Sequence, residues 1–144
     1  MKMKILLVDD DKFIRDNFSE RLKNNKYEVS SAEDGEEAIE KIASDDFDVV
    51  ITDIRMPKVN GIEVLKFIKK NKPKIKVIVM SIFVSQEVIN EVMELGAYQY
   101  IDKSSFLKDI VRILDKITWG GCKKSGLIFR KIRFFPEGKF DLIV

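Results

Sequence analysis

The chain contains few of the residues that covalent cross-links or membrane segments require. It has one cysteine, Cys122, so no intramolecular disulfide can form, and a lone cysteine favours a reducing compartment. No apolar run approaches the roughly 18 to 20 residues of a membrane span. The apolar run behind the basic start of the chain is too short for a secretion signal and stops at three aspartates. We therefore expect a soluble, cytoplasmic protein that has no membrane partner.

The chain also has little net charge. Its 26 basic and 24 acidic side chains leave a net charge of +2 over 144 residues. The segment 119–144 has six basic and two acidic side chains, a net +4, so residues 1–118 carry a net −2. The basic excess is therefore expected to be a property of the C-terminal segment. The hydrophobic content of 45% is enough to form a buried core.

Five short runs of strand-like residues alternate with segments of helical periodicity. The runs are 5–8 (ILLV), 27–30 (YEVS), 49–52 (VVIT), 75–80 (IKVIVM) and 98–101 (YQYI). Asp11 and Asp34 each precede a helical segment and are predicted N-caps. The alternation predicts an α/β domain of type (βα)5 over residues 1–118, with a parallel sheet. Residues 119–144 form a basic and apolar extension whose two apolar runs around a Pro-Glu-Gly-Lys turn predict a β-hairpin.

Four of these runs lead into side chains that can carry chemistry. Asp9 and Asp10 follow the first run, Asp53 follows the third, Ser81 the fourth and Lys103 the fifth. In an open sheet of parallel strands the functional crevice lies outside the carboxyl ends of the strands. The sequence therefore predicts that three carboxylates, a hydroxyl and an ammonium converge on one pocket.

The predicted pocket suits a phosphoryl group. Crowded carboxylates repel one another unless a cation neutralises them, and oxygen ligands of this kind suit Mg2+ or Mn2+. Lys103 adds a second positive charge, and Ser81 can donate a hydrogen bond to an anion. We expect Asp53 to act as a nucleophile that accepts a phosphoryl group, while the metal and Lys103 offset the developing charge.

The motifs at these strand ends resemble those of a known family. They are ILLVDDD at 5–11, DIRMP at 53–57 followed by Asn60-Gly61, VMS at 79–81, and GAYQYIDK at 96–103. Together they resemble the receiver domain of bacterial two-component response regulators, over residues 1 to about 118, in its stand-alone, chemotaxis-regulator-like form. The resemblance implies a flavodoxin-like, doubly wound sheet with strand order 2-1-3-4-5.

The resemblance also implies a role for each residue of the pocket. Asp53 would receive its phosphoryl group from a sensor kinase's phosphohistidine, in a protein that catalyses its own phosphorylation and dephosphorylation and turns over no separate substrate. Ser81 and Lys103 would contact that group, and Tyr100 would be the switch aromatic that turns inward when Ser81 moves. The implied Mg2+ ligands are Asp9, Asp10, Asp53 and the backbone carbonyl of Arg55.

The partners are implied in the same way. A sensor histidine kinase or a phosphotransfer protein would supply the phosphoryl group, since a chain without histidine cannot itself be a phosphohistidine donor. A downstream protein would read the surface that begins at Gln86 and ends at Ile117, and a homodimer is compatible with this. The 26 residues after 118 are too few for a helix-turn-helix domain, so nucleic acid is not the expected partner.

Two positions depart from the family and keep other functions open. Ser104 follows Lys103 where the family usually has proline, which leaves open whether that peptide bond is cis. Ile82 follows Ser81 where the family favours a small residue. One alternative is therefore a phosphorylation-independent interaction module with the receiver fold. Another is nucleic-acid binding through the basic segment 119–144, which could also be a docking hairpin or a product of truncation.

Overall fold

Strands and helices alternate along the chain as the sequence predicts. The computed structural model describes residues 2–82, 84–120, 132–134 and 140–142. The strands are β1 (Lys4–Val8), β2 (Glu28–Ala32), β3 (Val49–Asp53), β4 (Lys76–Ser81) and β5 (Gln99–Asp102). The helices are α1 (Lys12–Asn24), α2 (Gly35–Ser44), α3 (Gly61–Asn71), α4 (Gln86–Glu94) and α5 (Phe106–Gly120), and a 3-10 turn at Lys103–Ser105 precedes α5. None of the described helices is long and apolar enough to cross a membrane.

The five strands form one parallel sheet in the order β2-β1-β3-β4-β5, so the predicted order is confirmed. β1 lies between β2 and β3, with Val8 opposite Thr52. Asp53 is opposite Met80 of β4, and Ser81 is opposite Asp102 of β5. Because all strands run the same way, their carboxyl ends share one edge of the sheet.

Side chains of each strand alternate between two buried faces of the sheet. On one face, Leu6 and Val79 belong to a core cluster that also contains Ile42 of α2, Leu65 of α3 and Val92 of α4. Such alternating burial on both faces is expected when helices cover a parallel sheet on each side.

The opposite face is buried as well. Ile5 and Leu7 of β1 are fully buried. They alternate along the strand with Leu6 and Val8 of the core cluster, so their side chains lie on this opposite face. Phe18 of α1 stacks on Phe106 at the start of α5, with ring centroids 3.8 Å apart and ring planes 6° from parallel. This contact joins α1 to the start of α5 on the opposite face of the sheet.

Both predicted N-caps are confirmed. Asp11 accepts hydrogen bonds from the backbone amides of Phe13 and Ile14, and Asp34 accepts one from that of Glu37. A cap of this type contributes about 1 kcal/mol to a helix. The cap at Asp11 is also what directs the chain away from the end of β1 immediately after Asp9 and Asp10.

The chain divides into two compact units, Met1–Lys108 and Asp109–Val144. In the second unit, β6 (Ile132–Phe134) pairs antiparallel with β7 (Phe140–Leu142), as the predicted hairpin requires. The turn of that hairpin and Cys122 lie outside the described residues. The predicted division of the chain into 1–118 and 119–144 stays a prediction.

Gly61 begins α3 directly against the end of β3. A Cβ at Gly61 would lie 2.0 Å from the carbonyl oxygen of Asp53 and 2.9 Å from Cα of Ile54, both of them backbone atoms. The Gly61 amide also donates to the Ile54 carbonyl at 2.9 Å. No side chain fits at this position, so the glycine is what allows α3 to start beside the strand that carries Asp53.

We expect Gly61→Ala to lower the free energy of unfolding by about 1 to 3 kcal/mol, because the added methyl group forces backbone to shift. Urea unfolding would measure this. Lys70→Ala, on the exposed face of the same helix, is the matched control and should change stability by less than about 0.5 kcal/mol. Equal stability of Gly61→Ala and the native protein would contradict the close approach.

Candidate functional site

Three carboxylates meet at the carboxyl edge of the sheet. Asp9 follows β1 and is fully buried, and Asp53 is the last residue of β3 and is 5% exposed. Asp10 is exposed to solvent. One oxygen of each carboxylate lies within 4.8 Å of the others. The structure therefore brings together the three acids that the sequence predicts for one pocket.

Lys103 joins this cluster from the 3-10 turn that follows β5. Its Nζ lies 2.7 Å from Oδ2 of Asp9 and 2.9 Å from Oδ2 of Asp53. The contact with Asp53 has hydrogen-bond geometry, and the contact with Oδ2 of Asp9 is a close ion pair. A single ammonium thus bridges the two buried carboxylates.

Burial and charge act against each other in this pocket. Burial raises the pKa of Asp9 above its usual value, and the ammonium of Lys103 only partly offsets the effect. Burial also disfavours the charge of Lys103, but its contacts with Asp9 and Asp53 outweigh this and raise the pKa of Lys103. The Lys103 side chain is therefore charged at neutral pH. Burial still disfavours the carboxylate form of Asp9, and a further cation would stabilise that form.

Backbone amides and one arginine hold the carboxylates in place. The Asp11 amide donates to Oδ1 of Asp9 at 2.9 Å, and the Arg55 amide donates to Oδ1 of Asp53 at 3.3 Å. Nη1 of Arg15 in α1 donates to the backbone carbonyl of Asp9 at 2.7 Å. The two amides thus contact Oδ1 of each carboxylate, whereas Oδ2 of each faces Lys103.

Ser81 and Tyr100 lie on the two strands beyond Asp53. Ser81 ends β4 and is buried, one residue past the position that pairs with Asp53. Tyr100 of β5 pairs with Val79 of β4. Its side chain is half-buried and packs against the core cluster. Burial, and to a smaller extent the charge of Asp102, raises the pKa of Tyr100. Tyr100 therefore lies beside Val79 of β4, two residues before Ser81.

The connection after β5 holds Lys103 without a proline. The described residues contain no cis peptide bond, so the bond between Lys103 and Ser104 is trans. The carboxylate of Asp102 accepts hydrogen bonds from the backbone amide of Ser104 at 2.9 Å and from its hydroxyl at 2.7 Å. We call this arrangement the Asp102–Ser104 cap. It closes the 3-10 turn while the Lys103 side chain enters the pocket.

The donor set of the pocket fits a divalent cation. Its ligand atoms are carboxylate oxygens, which suit Mg2+, and Mg2+ commonly binds through one or two carboxylates and retains waters. Oδ2 of Asp9 is buried beside the ammonium of Lys103, and a carboxylate oxygen has a second lone pair with which it can also bind a cation. For Arg55 the structure defines the contact of its amide with Asp53, and the role of its carbonyl stays a prediction.

Several residues of this site do not stand out in the sequence. Arg15 lies six residues after Asp9, and the Asp102–Ser104 cap lies at a position where the family usually has proline. An aspartate two residues before a serine is a common turn pattern, which could have indicated the cap. The reach of Arg15 back to the Asp9 carbonyl depends on the rotamer of a long side chain, which no sequence pattern specifies.

Comparisons with known proteins agree with the resemblance seen in the motifs. The response regulator receiver domain family matches residues 5–115. The chemotaxis protein CheY of Thermotoga maritima is 35% identical over 119 residues, which cover 82% of this chain and 99% of that protein. The response regulator MprA of Mycolicibacterium vanbaalenii is 34% identical over 113 residues, which cover 77% of this chain and 48% of MprA.

The chain thus spans about half the length of several curated relatives and nearly all of CheY. Among solved structures, the response regulator TrrA of Thermotoga maritima, in complex with Mg2+ and BeF, has a TM-score of 0.73 and 36% identity, over 81% of this chain and 99% of TrrA. The fold, the motifs and the sequence similarity agree: this chain belongs to the response regulator receiver domain family of two-component systems.

Proposed function

We propose that this chain is a phosphorylation-activated switch in which Asp53 accepts a phosphoryl group from the phosphohistidine of a sensor kinase or phosphotransfer protein. The observation that carries the proposal is the bridge of Lys103 between Asp9 and Asp53 inside a buried pocket. The donor must be another protein, because this chain has no histidine. The state of the switch would reach its targets through protein contacts.

The chemistry assigns one step to Asp53. A carboxylate oxygen of Asp53 attacks phosphorus, the bond between phosphorus and the donor nitrogen breaks, and the electron pair of that bond stays on the donor's imidazole. The Arg55 amide donates to Oδ1 at 3.3 Å and Lys103 donates to Oδ2 at 2.9 Å, so both oxygens of Asp53 are oriented before reaction. Orientation of this kind removes part of the entropic cost of the transfer.

Mg2+ would be held by Asp9, Asp10 and Asp53, with the carbonyl of Arg55 as a further ligand. When bound, it supplies positive charge that stabilises the oxygens of the transferring phosphoryl group. Lys103 supplies a second positive charge from the β5 side, so the negative charge that develops during transfer is offset from two directions. Relatives support the metal, since TrrA was solved with Mg2+ and BeF.

Phosphorylation adds about −1.5 to −2 charge at Asp53, which favours conformations that bring Ser81 and Lys103 nearer to the new phosphate. Ser81 ends the strand next to Tyr100, so a movement of Ser81 would change the space available to Tyr100. We propose that α4 and β5 display this change. They form the part of the predicted surface between Gln86 and Ile117 that lies within the first unit.

Incubation with acetyl phosphate and Mg2+, followed by intact mass measurement, tests the proposal. We expect the native chain to gain one phosphoryl group and Asp53→Asn to gain none. Asp46→Asn removes an exposed carboxylate at the other edge of the sheet and should behave as the native chain. If the native chain gains no phosphoryl group, the phosphorylation-independent interaction module becomes the better assignment.

Mg2+ alone should stabilise the fold. A free Mg2+ concentration ten times its dissociation constant should raise the free energy of unfolding by about 1.4 kcal/mol in urea titrations. Asp10→Asn should lose most of this gain. Asp11→Asn is the matched control, because asparagine caps α1 as well as aspartate does and Asp11 lies outside the acidic cluster. The assignment of the ligands is wrong if Asp11→Asn loses the Mg2+ effect and Asp10→Asn keeps it.

The Asp102–Ser104 cap should influence the rate of phosphorylation through Lys103. Ser104→Ala removes the 2.7 Å hydrogen bond and leaves the one from the amide. A loss of about 1 kcal/mol corresponds to a phosphorylation by acetyl phosphate that is about fivefold slower. Ser105→Ala, in the same 3-10 turn, is the control, because the two hydrogen bonds that the Asp102 carboxylate accepts come from Ser104. Equal rates for both variants would argue that Lys103 is positioned by its ion pairs alone.

A further inference from the structure

A dense group of lysines lies at the sheet edge opposite the acidic pocket. Six lysines occur between positions 66 and 76, and no acidic residue occurs between Glu63 and Glu87. They lie on the second half of α3, on the connection that follows it, and at the first residue of β4. We call Lys66, Lys69, Lys70, Lys74 and Lys76 the lysine patch.

The lysine patch has no acidic partners in the described part of the chain. Lys72, the sixth lysine of the stretch, differs from the others because it contacts Asp46 at 3.6 Å and the backbone carbonyl of Asp45 at 3.1 Å. Asp45 itself forms an ion pair with Lys4 at 2.6 Å, and Asp48 accepts a hydrogen bond from the Lys4 amide. The aspartates nearest to Lys72 are therefore already paired, and none of them neutralises the lysine patch.

The members of the lysine patch act on one another. Burial lowers the pKa of Lys69, and the charge of Lys76 lowers it further. Nζ of Lys76 lies 5.7 Å from the centre of the Tyr98 ring, a cation–π contact that leaves its positive charge uncompensated. Lys66, Lys70, Lys74 and Lys76 are exposed to solvent. Four accessible and unpaired positive charges on one short segment repel each other and attract a polyanion.

We propose that the lysine patch binds the phosphate backbone of nucleic acid without reading its sequence. Lysine ammonium groups neutralise phosphates as point charges, which is sufficient for sequence-independent binding. An acidic protein is the weaker candidate because protein interfaces are depleted in lysine and depend on buried apolar or aromatic anchors. The large exposed apolar side chains of the described residues are Phe13, Ile82, Met93 and Leu107, and none of these belongs to the stretch 66–76.

The expected affinity is modest and strongly dependent on salt. If the four exposed lysines each neutralise one phosphate of a duplex, the slope of log K against log salt is about −3.6, so binding weakens about 150-fold between 50 and 200 mM salt. This assignment is independent of phosphorylation at Asp53. It differs from binding through the segment 119–144, which has a basic excess of its own.

Fluorescence anisotropy with a labelled duplex of mixed sequence tests the proposal on the full chain. Three triple variants each change the net charge from +2 to −1. Lys66→Gln, Lys70→Gln and Lys74→Gln remove most of the patch. Lys23→Gln, Lys26→Gln and Lys108→Gln remove exposed lysines elsewhere. Lys123→Gln, Lys124→Gln and Lys131→Gln reduce the charge of the C-terminal segment.

We expect the triple variant at Lys66, Lys70 and Lys74, which we call the patch variant, to reduce the magnitude of the salt slope by about 2.7. The other two triple variants should change the slope by less than about 1. Urea unfolding of each variant checks that the fold is intact. The proposal is overturned if the patch variant keeps the native slope or if the C-terminal variant loses it instead. It is also overturned if polyglutamate displaces the duplex at equal charge concentration, because the surface would then select acidic polypeptide as readily as phosphate.

Discussion

The ammonium of Lys103 between Asp9 and Asp53 is the interaction on which the site depends. Both carboxylates are buried, and an unpaired buried charge costs several kcal/mol after relaxation. The 2.7 and 2.9 Å contacts to Lys103 offset the repulsion between the two acids. Phosphorylation would change the contact between Lys103 and Asp53, because a phosphate on Asp53 presents more negative charge to the same ammonium. The bridge therefore stabilises the unphosphorylated pocket, and it contains the contact that phosphorylation of Asp53 would change directly.

The topology of the sheet is what makes this bridge possible. Strand order β2-β1-β3-β4-β5 places β1 beside β3, so Asp9 and Asp53 are neighbours although 44 positions separate them in the sequence. β5 is two strands away from β3, and only a long side chain can reach from it across the end of β4. Lysine has four methylene groups for this purpose and keeps its charge at the tip. Gly61 completes the arrangement, because α3 can begin against the backbone of Asp53 only where no side chain intervenes.

Local patterns in the sequence predicted where the strands end, and the resemblance to the family implied the sheet order, which the structure confirms. Together they place Asp9, Asp53 and Lys103 at one edge of the sheet. Asp11 and Asp34 could be recognised as caps because a cap is also a local pattern. The contact from Arg15 and the Asp102–Ser104 cap were missed, since they depend on side-chain rotamers and on a turn that replaces the family's usual proline. The lysine patch was missed as well, because the net charge of residues 1–118 is slightly negative and does not reveal a local excess of lysine in α3.

The acidic pocket and the lysine patch occupy opposite ends of β4, and their separation limits how they can influence one another. Six residues of strand span about 20 Å, which is about two and a half times the Debye length at physiological ionic strength. The direct effect at Lys76 of the charge added by phosphorylation is therefore weakened by distance. A coupling between phosphorylation at Asp53 and binding at the lysine patch would have to be carried by a displacement of β4 or α3, both of which touch the two ends. Gly61 and Ser81, where these elements meet the pocket, are the positions at which such a displacement would begin.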